Sequence, residues 1–216
     1  MLLAAAMAVP SPLGEGPRPI LPAEPELGAC VAAGCPDAVR EALVARLEDH
    51  LYAQMPAAPQ QVHEAVARAL AVEAEAARVD PLLVLAMIEV ESGYDIDATS
   101  QAGARGLMQL LPATMQREVE LLGLGDARPD DPVANVRAGV RYLRRCLDAY
   151  PGHQDLGLMS YNSGPNRVLE FLADGEVPEW AAVYPRRVEA EWRRLRKAFG
   201  VDGPPRVAEA ERSPLR

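Results

Sequence analysis

The chain is poor in several residue types that mark whole classes of protein. Only three cysteines and three histidines occur in 216 residues, without the spacing of a zinc site, so we expect neither a metal nor another cofactor. The net charge is −9, which argues against a nucleic-acid partner. No hydrophobic run is long enough to span a membrane. Strand-forming patterns are nearly absent, and this favours an all-α protein.

The two ends of the chain differ in composition from its centre. Residues 1–36 contain seven prolines, which predicts an extended, poorly packed lead segment. The apolar start, Met1–Val9, is similar to the second half of a secretory signal but has no basic region before it. Residues 201–216, with three further prolines, predict a flexible tail.

Two cysteines of the lead segment leave a question open. Cys30 and Cys35 either form a disulfide, which would imply an oxidising compartment, or remain free thiols, and the sequence favours neither. Cys30 also ends a Leu-Gly-Ala-Cys sequence that resembles a bacterial lipoprotein acylation box. The residues ahead of it, 14–26, are Pro-rich and polar instead of apolar. Membrane association is therefore expected only if Cys30 is lipidated, which this composition disfavours.

Between these ends the apolar pattern is helical almost throughout. Asp80 followed by Pro81 predicts a helix start, Gly93 predicts the left-handed stop of that helix, and only residues 94–99 leave room for an extended piece. We expect an N-terminal helical extension over 37–57 and the main domain over 58–200. The predicted helices cover residues 37–54, 60–79, 81–92, 111–122, 132–149, 153–162, 164–173 and 178–199.

The helix predicted over 81–92 carries the candidate acid. It is apolar nearly all round, so periodicity alone does not choose between Glu89 and Glu91. Glu91 lies in the last turn, where the negative end of the helix dipole and partial burial both disfavour the anion and raise the pKa. A general acid that works near neutral pH needs such a shift. Position therefore favours Glu91, with Glu89 in a supporting or core role.

From Glu91 onward the residues resemble the bacterial soluble lytic transglycosylases, relatives of goose-type lysozyme. The family pattern is Glu-Ser, then Ala-x-Ser-x-x-Gly-Ala-x-Gly-Leu-Met-Gln-x-x-Pro-x-Thr. This chain matches it with every spacing intact at Glu91-Ser92, Ala98, Ser100, Gly103-Ala104, Gly106 to Gln109, Pro112 and Thr114.

Two further blocks carry the same resemblance, which spans about residues 75–190. One block contains Asp131-Pro132, Asn135-Val136, Gly139 and Tyr142-Leu143; the other contains Tyr161 to Pro165 and Arg167-Val168. The resemblance implies an all-α, lysozyme-like domain. It also implies export to the periplasm or cell envelope of a bacterium, because the substrate, peptidoglycan, lies there.

The resemblance implies a reaction with one protein carboxylate. Glu91 would protonate the oxygen between N-acetylmuramic acid and N-acetylglucosamine. It would then take the proton of the muramoyl 6-hydroxyl, which closes a 1,6-anhydro ring without water. Most glycosidases use two carboxylates. The acids nearby, Asp95 and Asp97, stand at positions that the family leaves variable, so we do not expect them to act directly.

The resemblance also implies roles for other side chains. Tyr161 would donate its hydroxyl to the catalytic carboxylate and fix its orientation. The implied substrate-binding residues, which line the groove or contact the acetamido groups and sugar rings, are Ser100, Met108, Gln109 and Asn162. Met108 by itself would more often be core packing.

Several features depart from the family pattern or leave alternatives. Relatives often carry Glu-Thr four and three residues before Tyr184, where this chain has Trp180-Ala181, so the far rim of the groove is expected to differ. The basic cluster between Arg186 and Lys197 is either a solvated helix face or a surface that attracts peptidoglycan carboxylates.

The alternative functions are a goose-type muramidase, which admits water, and an inactive murein-binding or scaffold protein.

Overall fold

The computed structural model describes residues 36–125, 127–128 and 130–201. The signal-like start, the Cys30 and Cys35 alternatives and most of the predicted tail lie outside these residues. The eight helices of the described part are α1 (Asp37–Gln54), α2 (Gln60–Ala77), α3 (Pro81–Ser92), α4 (Pro112–Leu122), α5 (Pro132–Asp148), α6 (Gln154–Ser163), α7 (Pro165–Asp174) and α8 (Glu179–Ala198).

The predicted all-α architecture is confirmed. Within the described ranges no β-strand forms, and the only extended pairing is two isolated bridges, Thr99 with Arg105 and Arg105 with Leu110. Each helix bound lies within two residues of its prediction. None of the helices described is both long and apolar enough to cross a membrane.

Helix α3 forms the centre of the core. Its first eight residues, Pro81 to Ile88, are all buried, which explains why its apolar pattern runs round the whole helix. It begins as predicted: Asp80 is the N-cap and its Oδ1 accepts a hydrogen bond from Leu82 N at 2.8 Å. It ends as predicted at Gly93, whose φ of 57° is left-handed.

Helix α8 packs along α3 and is bonded to its start. Its buried face includes Tyr184, Val188, Trp192 and Leu195. Trp192 Nε1 donates to Asp80 Oδ2 at 2.9 Å, and the Arg196 guanidinium donates to the same oxygen at 3.0 Å. Tyr184 lies near the start of α8, close to the C-terminus of α3. Contacts at both ends of α3 therefore fix the register between the two helices.

The remaining arginines of the basic cluster are largely paired with acids of their own helix. Arg186 pairs with Glu179, Arg193 with Glu189 and Arg194 with Glu191 on the exposed side of α8. These pairs favour the interpretation of the cluster as a solvated helix face.

The N-terminal helix α1 belongs to the same hydrophobic core. It packs on α2 through Leu43, Val44, Leu47 and Leu51, all of which are buried. The division of the chain at residue 57 stays a prediction.

Candidate active site

The C-terminal end of α3 opens into a groove of about 340 Å³. Its walls come from the loop after α3, the start of α4, the middle of α5 and the end of α6. Glu91 is the only acidic residue that lines it among the residues described. The other lining residues are Ser100, Ala102, Ala104, Gln109, Leu110, Leu111, Thr114, Tyr142, Tyr161, Asn162, Ser163 and Gly164.

Glu91 is held as a protonatable acid. Burial raises its pKa to about 7, while a hydrogen bond from Tyr184 and the charge of Arg187 act in the opposite direction. The raised pKa predicted from the helix-end position is therefore present, and burial is its largest cause. A carboxyl group with a pKa near neutrality can donate a proton in one step and accept one in the next.

The tyrosine that orients Glu91 is not the one predicted. Tyr184 donates its hydroxyl to Glu91 Oε1 at 2.7 Å. The hydroxyl of Tyr161 instead donates to the backbone oxygen of Met108 at 2.8 Å. The predicted hydrogen bond from Tyr161 to Glu91 is thus wrong. Tyr161 lines the groove beside the acid, but its polar atom is used to hold the following loop.

That loop, from Ala98 to Leu110, is fixed by α5. Asn135 is fully buried; its Oδ1 accepts from Met108 N at 2.8 Å, and its Nδ2 donates to Arg105 O at 2.9 Å. Gly106 has a φ of 74°, and a Cβ there would come within 2.7 Å of Asn135 Nδ2. Only glycine therefore permits this close approach of the loop to the amide.

Met108 does not contribute its side chain to the groove. The side chain is completely buried and lies against Gly139, where an added Cβ would meet Met108 Sδ at 2.3 Å. The prediction that this side chain binds substrate is wrong, because the side chain fills the space beside Gly139 on α5. The contribution of Met108 is its backbone, which is bonded to Asn135 and Tyr161.

Gln109 lines the groove in a constrained conformation. Its φ is 45°, a left-handed value that is uncommon outside glycine. Its Nε2 donates to the backbone oxygens of Ala98 and Gly106, both at 3.0 Å. The amide nitrogen thus ties the two arms of the loop together, and a substrate-binding role for Gln109 stays a proposal.

Ser100 and Asn162 both lie on the walls of the groove and are exposed. Ser100 Oγ accepts from Ala104 N at 3.0 Å, which orients the hydroxyl at the rim. Ser163 lies beside Asn162, and its buried Oγ has no hydrogen-bond partner among the described residues. The geometry brings these polar groups into one cleft with Glu91, and substrate binding by Ser100 and Asn162 stays a prediction.

The other acids near the site are placed elsewhere. Asp95 accepts a hydrogen bond from Asp97 N at 2.9 Å in a local turn, and neither residue lines the groove. Glu89 is close to Tyr94 and Arg194, whose pKa values it raises, and is also outside the groove. These positions leave Glu91 as the one carboxylate that lines the groove in the described part of the chain.

Tyr184 is the functional residue that sequence reasoning missed. It is 93 residues away from Glu91 in the chain, and no local pattern links the two. In the sequence it stands out only as the reference point for the departure at Trp180-Ala181. A signal that could have found it is its place on the buried face of α8, four residues before Val188 and eight before Trp192.

The chain matches known proteins over this region. The family described as "Transglycosylase SLT domain" matches residues 68–176. A transglycosylase of Enterobacteria phage PRD1 is 33% identical over 129 residues, which is 58% of this chain and 41% of the phage protein. The membrane-bound lytic murein transglycosylase C of Actinobacillus pleuropneumoniae is 35% identical over 106 residues, covering 44% of this chain and 29% of that protein.

Solved structures show the same fold. The 70 kDa soluble lytic transglycosylase of Escherichia coli superposes with a TM-score of 0.55 at 20% identity, covering 82% of this chain and 33% of that one. The Slt lytic transglycosylase of Pseudomonas aeruginosa gives a TM-score of 0.58 at 24% identity, covering 77% and 28%. These likenesses confirm the lysozyme-like fold. The chain spans less than half the length of each of these relatives.

Proposed function

Because this chain belongs to the transglycosylase SLT domain family, which matches half of its length, we propose that it is a peptidoglycan lytic transglycosylase. It cleaves the β-1,4 bond between N-acetylmuramic acid and N-acetylglucosamine without water. The observation that carries this proposal is a single carboxyl group, Glu91, with a pKa of about 7 in a groove with no second acid among the described residues.

Glu91 acts twice in the proposed reaction. Protonated, it donates its proton to the glycosidic oxygen as the bond to the muramoyl anomeric carbon breaks, and the N-acetylglucosamine side leaves as an alcohol. The resulting carboxylate then accepts the proton of the muramoyl 6-hydroxyl, whose oxygen bonds to the anomeric carbon. The proton returns to Glu91, and the product carries a 1,6-anhydro ring.

The hydroxyl of Tyr184 serves this cycle through its hydrogen bond to Glu91 Oε1. It stabilises the anionic form and so keeps the pKa from rising further, which burial alone would cause. It also leaves the other oxygen of the carboxyl group to face the substrate. Since burial holds the pKa of Tyr184 well above 10, the hydroxyl remains a neutral donor throughout.

Ser100, Gln109 and Asn162 are proposed to bind the sugar rings and their acetamido groups, since they line the groove with Glu91. Tyr161 is proposed to act with them by holding the backbone of Met108 and hence the loop. Glycan strands of peptidoglycan are the proposed partner, and the proposed location is the periplasm or cell envelope, where this polymer is found.

Mass spectrometry of digested peptidoglycan tests the reaction. A lytic transglycosylase releases fragments that are one water lighter than hydrolytic fragments and that end in anhydromuramic acid. Reducing-end muramic acid would instead show a goose-type muramidase. Binding of murein with no cleavage product would show a binding or scaffold protein.

A further inference from the structure

A second depression continues from the groove along the start of α7. The two share Ser163 and Gly164 in their walls, so they are contiguous. Arg167 and Glu170 line the second depression, and neither lines the first. A substituent of a glycan bound at Glu91 can therefore extend past Gly164 and reach the side chains of α7.

The guanidinium of Arg167 lies over an exposed aromatic face at the start of α8. Its central carbon is 5.7 Å from the centre of the Trp180 ring. Trp180 is 54% exposed, and Phe171 packs edge-on against it with ring centres 5.6 Å apart. Stacking on an aromatic ring orients a guanidinium without using its N–H donors, which stay available to a ligand.

Arg167 differs in this respect from the three arginines of α8 that pair with acids of their own helix. Arg186, Arg193 and Arg194 each have a carboxylate partner. No ion pair joins Arg167 to any acid in the described part of the chain, and its neighbour across α7–α8 is the indole of Trp180. Trp180 stands where relatives often carry Glu, so the indole beside the Arg167 guanidinium is a feature of this chain.

We propose that Arg167, held on Trp180, binds a carboxylate of the peptide stem that the muramic acid residues of the substrate carry. This assignment of a specificity residue rests on the proposed function. A guanidinium presents paired N–H donors that match a carboxylate. The sugar rings of the strand are uncharged, whereas its stems carry free carboxylates. Glu170 lines the same depression, and its negative charge suits the amino groups that such stems also carry.

The test compares two forms of one substrate. Peptidoglycan strands with intact stems are assayed beside the same strands after carbodiimide coupling of their carboxyl groups to ammonia. The wild-type protein should cleave the intact strands with the higher kcat/KM. Arg167→Gln should lower kcat/KM on intact strands by roughly fivefold, chiefly through KM. It should also remove the preference over amidated strands. Arg193→Gln, which removes an exposed guanidinium from α8, should keep the preference.

Two substitutions at Trp180 provide an independent measurement. Trp180→Glu places a carboxylate beside Arg167, so it should compete with the stem and abolish the preference as Arg167→Gln does. Trp180→Phe keeps an aromatic face and should retain most of the preference. The proposal is overturned if Arg167→Gln lowers cleavage of both strands equally, or if it has no effect. The proposal is also overturned if Arg167→Gln still lowers cleavage of strands whose stems an amidase has removed. In that case the lactyl carboxylate of muramic acid would be the ligand.

A binding experiment distinguishes failure of this proposal from failure of the proposed function. Sedimentation of the intact and amidated strands with Glu91→Gln protein measures the preference without any cleavage. An Arg167-dependent preference in binding supports the carboxylate site even if the wild-type product proves hydrolytic. Anhydromuramic products together with no Arg167-dependent preference would support the reaction and overturn the site.

Discussion

A carboxylate that α8 contacts lies at each end of helix α3, with Asp80 buried and Glu91 partly buried, yet the two groups are surrounded differently. Asp80 accepts three hydrogen bonds, from Leu82 N, Trp192 Nε1 and the Arg196 guanidinium. Glu91 accepts one, from the Tyr184 hydroxyl. Burial raises the pKa of both groups, but for Asp80 three donors, one of them charged, oppose the rise. The number of donors thus distinguishes the structural anchor from the proposed reactive acid.

This contrast also explains how the acid is placed. A carboxyl group with few donors is poorly fixed by its own contacts, so its position depends on the helix that carries it. The bonds at Asp80 and the burial of Pro81 to Ile88 fix α3 against α8. The well-bonded end therefore provides the rigidity that the reactive end lacks. Four experiments can break or sharpen this comparison.

Replacement of the reactive carboxylate should have the largest effect on turnover. Glu91→Gln removes the proton donor while keeping the shape, so release of anhydromuropeptides should fall about 10³-fold. The fold should persist, as measured by circular dichroism. Asp97→Asn is the matched control, because Asp97 is exposed and outside the groove. Unchanged turnover of the Gln variant would rule out Glu91 as the acid.

Replacement of the structural carboxylate should act on stability instead. Asp80→Asn removes the buried negative charge that accepts from Trp192 and Arg196, so it should lower the free energy of unfolding by about 3 kcal/mol. Denaturant unfolding measures this loss. The pH at which the remaining activity falls should stay at the wild-type value. A shifted pH profile with unchanged stability would reverse the roles assigned to the two ends.

Removal of the single donor at Glu91 should give an intermediate effect. Tyr184→Phe takes away a hydrogen bond to the carboxylate, so kcat should fall about 30-fold. Because that bond lowers the pKa of Glu91, its loss raises the pKa. The loss of activity with rising pH should therefore occur at a higher pH than in the wild type.

Tyr161→Phe is the matched control for this measurement. Its hydroxyl bonds to Met108 O and not to Glu91. It should weaken the loop and raise KM with little shift of the pH profile. If Tyr161→Phe shifted the profile and Tyr184→Phe did not, the sequence-based assignment of Tyr161 would be right after all.

The smallest effect concerns stability as a function of pH. The pKa of Glu91 rises from about 4.5 to about 7 on folding, so the folded state holds a proton that the unfolded state has released between these values. Stability from this group is full below pH ~4.5 and is lost as pH rises through ~7. The free energy of unfolding of Glu91→Gln, relative to that of the wild type, should thus rise by about 1–2 kcal/mol between pH 4 and pH 8. Parallel curves for the two proteins would contradict the raised pKa.

The sequence predicted the parts of this site that depend on local signals. Asp80, Pro81 and Gly93 mark the ends of α3, and the position of Glu91 in its last turn favoured it over Glu89. Local signals did not reveal contacts between distant segments. Tyr184 lies on another helix, and the space beside Gly139 that takes the Met108 side chain is visible only once α5 is packed on the loop.

The errors at Tyr161 and Met108 have one physical origin. Both residues belong to motifs whose resemblance implied contact with the acid or the sugar. In the fold, the two are bonded to each other through the Tyr161 hydroxyl and the Met108 carbonyl. A motif indicates that its residues belong to one functional unit. Packing decides whether a given side chain faces the ligand or supports a residue that does.

The fit between Met108 and Gly139 has a consequence for how this domain can change over time. No side chain fits at position 139 while the Met108 thioether fills that space, so a larger residue at position 139 requires Met108 to move. A harmful Gly139→Ala change should be relieved by a smaller residue at position 108, far more readily than by any change among the residues proposed to bind the sugar. Selection for restored growth or lysis would then recover second-site suppressors in the protein interior.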